Sequence, residues 1–179
     1  MVDPATASRI SHRALFAALA ALILFLRVLP LTAVPTRWPA PDLILCLTFA
    51  WLLRRSDYLP AYLVVIVFAV DDLLSMRPPG LWTLIALFTT EFLRSREMFL
   101  RDLPFALEWA VVAAAVMVMT VANRLILSLL MVPQGGFNLT ILEVLSTLAA
   151  YPVVVFANVW LLGLQRRTGG MADGMGSRG

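Results

Sequence analysis

Six apolar runs, each closed by charged residues, proline or glycine, constrain the fold of this 179-residue chain more than any other feature. They cover residues 14–26, 43–53, 59–70, 80–93, 103–132 and 138–164. Hydrophobic residues make up 61% of the sequence, against about 45–50% of an ordinary soluble domain. A soluble fold of this size does not bury that much apolar surface. The sequence therefore predicts an all-α, polytopic membrane protein built as a six-helix transmembrane bundle. Residues 1–13 form its N-terminal segment, 14–165 the six-span domain, and 166–179 a glycine-rich tail expected to be disordered.

The 14 basic residues are all arginines, and they mark the ends of the runs. With six spans and an inside N-terminus, nine fall inside: Arg9, Arg13, Arg54, Arg55, Arg94, Arg96, Arg101, Arg166 and Arg167. Only Arg37 and Arg77 fall in outside loops. The positive-inside rule then puts both termini in the cytoplasm of a multi-pass inner-membrane protein. The arginines form no dense run or basic face, which argues against nucleic acid as a partner. A positive start before a short apolar run also fits a signal peptide, but no clear cleavage site follows and five more runs do, so an uncleaved span is expected. Ala14, Ala17, Ala18 and Ala21 give that span a small-residue face suited to close packing. The lone cysteine, Cys46, lies inside a run and belongs to no metal pattern.

Charges inside the spans are the candidate functional residues, because each costs at least ~2.5 kcal/mol near the bilayer centre. Residues 30–41 hold four prolines and form a rigid loop, after which Asp42 is placed to cap the helix starting at Leu43. The third run is too short at about 18 Å for a core of about 30 Å, so its helix is expected to extend toward Met76 and carry Asp71 and Asp72 inside the membrane. Pro78, Pro79 and Gly80 then make a turn. By depth, Arg27, Asp71, Asp72, Arg124 and Glu143 sort to the outer half, and Glu91 and Glu108 to the inner half. Arg124 is expected to pair with Asp71 or Asp72, because a lone buried charge is costly. The two aspartates point about 100° apart on a helix, so they do not serve one centre. His12 lies in the polar N-terminal segment, where it is expected to be solvated. No nucleophile, metal-binding or phosphate-binding motif is present, and no enzyme activity or cofactor is expected.

Asp72-Leu73-Leu74-Ser75, with Gly80 eight positions after the aspartate, resembles the signature of the rod shape-determining protein MreD family. Pro41-Asp42-Leu43 followed by Trp51 is similar to the family's opening, and the likeness spans about residues 29–165. The family often has glycine four residues after the aspartate and leucine before the later glycine, where this chain has Met76 and Pro79. It also often has glycine in the span before the aspartate, where this chain has Val67 and Phe68. The resemblance implies a non-enzymatic component of the bacterial cell-wall elongation complex. Its direct partner would be MreC, with MreB, RodA and a class B penicillin-binding protein reached indirectly. It also implies a fold like the substrate-binding subunits of energy-coupling-type vitamin transporters, with a cavity near the outer face. A small-solute-binding subunit of a transporter is the alternative, with Asp72, Arg124 and Glu143 lining that cavity.

Overall fold

The computed structural model describes residues 4–29, 39–100 and 103–162, with side chains from residue 9 to residue 160 of these segments. The tail at 166–179 and most of the proline-rich loop lie outside the described residues. All regular structure among the described residues is helical: α1 (Pro4–Val28), α2 (Leu43–Arg55), α3 (Ala61–Leu74), α4 (Leu81–Ser95), the single turn α5 (Glu97–Leu100), α6 (Phe105–Leu129) and α7 (Phe137–Leu162). A 3-10 turn, Ser56–Tyr58, joins α2 to α3.

Three of these helices are long and apolar enough to cross a membrane, over Arg9–Val28, Phe105–Leu129 and Phe137–Trp160. The other three main helices, with 13, 14 and 15 residues, are shorter than the roughly 20 residues that a membrane span takes. At 1.5 Å per residue they measure about 20–22 Å. The third run breaks at Pro60, which serves as the N-cap of α3, and α3 ends at Leu74.

The core forms around α2. Its residues Ile44 to Leu53 are all buried, as a helix apolar on every side requires. Phe16, Ala20 and Leu24 of α1, spaced four apart, face this core. The alanine face expected to pack does not: Ala14, Ala18 and Ala21 are exposed. The larger Phe16 and Leu24 bury more apolar area than alanine does, and they set the orientation of α1. Helix α1 also starts well before the apolar run, at Pro4, a residue suited to a first helical position. Its polar turn is docked and not solvated, because His12 stacks on Tyr58 at 4.4 Å and Arg13 donates to the Asp57 carbonyl.

Helix α7 carries Pro152 in its interior. Proline removes one backbone donor and so frees the carbonyl four residues earlier, here that of Leu148. Trp109 Nε1 of α6 donates to that carbonyl at 3.1 Å. Nearby, Trp51 Nε1 donates to Asn158 Oδ1 at 3.0 Å and fixes α2 against α7.

Candidate functional site

The charged side chains gather at the two ends of the bundle. At one end, Arg54 of α2 meets Glu108 of α6 at 2.9 Å, with both side chains nearly inaccessible. Tyr151 of α7 donates to the same carboxylate oxygen at 2.6 Å. Arg94 pairs with Glu91 at 2.9 Å and donates to the Leu59 carbonyl. Ser56 donates to Glu97 at 2.5 Å. Each buried charge here has an oppositely charged or hydrogen-bonding partner, as the cost of burying charge demands.

The opposite end contains every charge of the expected outer set. Asp71 and Asp72, adjacent in sequence and fully buried, turn to different helices. Asp71 accepts from Arg27 of α1 at 2.5 Å. Asp72 Oδ2 accepts three hydrogen bonds from α4: Gly80 N–H at 3.0 Å, Thr83 N–H at 3.1 Å and the Thr83 hydroxyl at 2.8 Å. Gly80 has no side chain with which to cap α4. The carboxylate of the preceding helix therefore does the capping, satisfying first-turn N–H groups and meeting the positive end of the helix dipole.

The turn between the two helices has a defined form. Met76 N–H donates to Leu73 O and Arg77 N–H to Asp72 O, the Schellman pattern that closes a helix. That pattern places Met76 in the left-handed region at φ 50°, where glycine is the usual residue. Pro78 to Leu81 then form a type II turn, with Pro79 and Gly80 central and Gly80 at φ 89°. The same Schellman pattern recurs after α6, where Met131 has φ 54°.

The expected pairing of Arg124 with Asp71 or Asp72 does not form. Arg124 binds within its own hairpin, donating to the Thr140 hydroxyl and the Gly135 carbonyl and lying over the Phe137 ring at 5.3 Å. Gln134 in turn donates to the Arg124 carbonyl. Partners ten to sixteen residues away suffice because α6 and α7 are joined by a short turn, and both aspartates are already engaged elsewhere. Glu143 faces Arg77 at 3.4 Å, and Arg77 lies over Trp82 at 5.5 Å. Asp42 caps α2 as expected, accepting from Leu45 N–H at 3.0 Å, while its own N–H donates to Thr147.

A cavity of about 340 Å³ opens at this end between α2, α4, α6 and α7. Asp42, Arg77, Trp82, Arg124 and Glu143 line it; Asp72 does not. Sequence reasoning missed Trp82, Asn123, Gln134 and Thr147 as lining residues, although for Asn123 and Thr147 a polar residue inside an apolar run was the available signal. Among the described residues no group of three or more histidine, cysteine, aspartate or glutamate side chains is arranged to hold a metal ion. Compared with protein-family models, with curated proteins and with solved structures, the chain matches none.

Proposed function

We propose that this chain is an MreD-type component of the bacterial cell-wall elongation complex. In this role it is a non-enzymatic inner-membrane protein that docks MreC, helping to maintain rod shape and regulate peptidoglycan synthesis. The hydrogen bond from Gly80 N–H to Asp72 Oδ2 carries the proposal. These are the two residues of the signature, and the bond supplies a physical reason for a spacing of eight. One departure from the signature also keeps its geometry. Met76 occupies the left-handed position at which the family often has glycine.

In this arrangement six helices cross the membrane, both termini are cytoplasmic, and the Asp72 end faces the periplasm. Bilayer thinning and snorkelling of the flanking Arg54, Arg55, Arg77 and Arg94 accommodate the short α2, α3 and α4. The turn at 75–80 is the docking element. Its two closing motifs hold it rigid before a partner arrives, which lowers the ordering cost of binding. MreB filaments, RodA and a class B penicillin-binding protein are then reached through MreC.

Co-expression with MreC and purification in detergent tests the proposal. The two proteins are expected to co-purify, and replacing Pro78 and Pro79 with serine is expected to reduce recovery of MreC from an equally stable protein. Failure of the unaltered chain to retain MreC overturns the proposal.

A further inference from the structure

Two residues that line the cavity at the Asp72 end each carry a buried polar atom that nothing among the described residues satisfies. Asp42 is 6% exposed; one carboxylate oxygen caps α2, and the other, Oδ2, has no hydrogen-bond partner. Trp82 is 8% exposed, and its Nε1 donor is likewise unpartnered. Leaving such groups unpaired costs about 1–3 kcal/mol each, and more for a charged one. Native structures seldom tolerate this without a water or a ligand. Both residues line the same cavity.

The charges around the cavity are balanced. Arg77 and Arg124 supply two positive groups, and Asp42 and Glu143 two negative ones. The Arg77–Glu143 contact is long at 3.4 Å and both side chains are partly exposed, so solvent screening leaves it weak and easily opened. Arg124 is held more firmly, by Thr140 and Gly135, yet keeps further N–H donors. The volume matches about ten waters at about 30 Å³ each and lies at the lower end of small-ligand pockets.

We propose that this cavity binds a small zwitterion of the amino-acid type, in which an ammonium group meets the free oxygen of Asp42 and a carboxylate meets the arginines and Trp82. A simple anion leaves the Asp42 carboxylate unpaired. A simple cation leaves Trp82 and the free donors of Arg124 unpaired. A zwitterion satisfies both sets and keeps the cavity neutral. The turn proposed to dock a protein partner supplies Met76, Arg77 and Pro78 to the wall of this cavity, but the two proposals rest on different observations and are tested separately.

The test is a thermal-unfolding screen of the full chain in detergent against the twenty L-amino acids, glycine betaine, choline, acetate and phosphate. At least one zwitterion is expected to raise the melting temperature saturably, by about 5 °C near a hundredfold excess over its dissociation constant. Asp42→Asn retains a good helix cap and Trp82→Phe retains the ring; each is expected to abolish the rise. If one variant does not fold, the other decides. The proposal is overturned if no zwitterion stabilises the protein, if acetate, phosphate or choline stabilises it equally, or if the rise persists in a folded variant.

Discussion

Asp72 Oδ2 lies 3.0 Å from the backbone nitrogen of Gly80, so a carboxylate ending one helix caps the next. The same oxygen also accepts from both donors of Thr83. This one atom couples α3 to α4 and sets the geometry of the turn between them.

Asp72→Ala removes all three hydrogen bonds and leaves first-turn donors without their partner. It is expected to lower stability by about 1–3 kcal/mol, measured by unfolding in detergent. Asp72→Asn keeps an accepting oxygen and is expected to cost less. Equal losses in the two variants would mean that charge, and not capping, is what Asp72 contributes.

Met76 is almost fully exposed and sits in a backbone region that costs a side chain about 1–2 kcal/mol. Met76→Gly relieves this, while adding freedom to the unfolded chain that costs about 0.5–1 kcal/mol. The net expectation is a stabilisation of roughly 0.5–1 kcal/mol. Met76→Val, β-branched at positive φ, is expected to destabilise. Comparison of the two unfolding curves checks the sign.

Arg54 and Glu108 form the most buried ion pair among the described residues. Arg54→Ala removes the cation that faces the buried Glu108 carboxylate, to which Tyr151 also donates, and is expected to cost about 3–5 kcal/mol. The double replacement Arg54→Met with Glu108→Leu is expected to cost far less, because no charge is stranded. A double variant as unstable as Arg54→Ala would contradict this.

How much of this was legible in sequence depended on the range of each interaction. The Asp42 cap and the end of α2 near Arg54 followed from local residue chemistry. So did the divergence of Asp71 and Asp72, which a 100° step dictates. The gathering of charges at two ends followed from run lengths. The partners of Arg124 did not, since charge balance favoured the aspartates and gave no weight to the uncharged Thr140 and Gly135 in its own hairpin. Trp109 serving the carbonyl freed by Pro152 was equally hidden, because it requires the register of α6 against α7. Only α3 is shorter than expected: its apolar run starts at Leu59, but Pro60 forms the N-cap and the helix stops at Leu74, short of Met76, whereas α2 and α4 run on to Arg55 and Ser95.

The corrected position of Arg124 gives a sharp double-mutant cycle. Arg124→Ala and Asp72→Ala share no partner and are expected to add within about 0.5 kcal/mol. Arg124→Ala and Thr140→Val touch the same contact and are expected to couple by more than that. Strong coupling between Arg124 and Asp72 would restore the pairing that the structure replaces.

The central claim, that the turn beside Asp72 docks MreC, is tested most directly by photocrosslinking in cells. A photoreactive amino acid at Met76 samples the turn, and one at Met98 provides an exposed control at the other end of the bundle. The account predicts a covalent adduct with MreC from position 76 and none from position 98. An adduct from position 98 alone, or from neither position while MreC co-purifies, would contradict it.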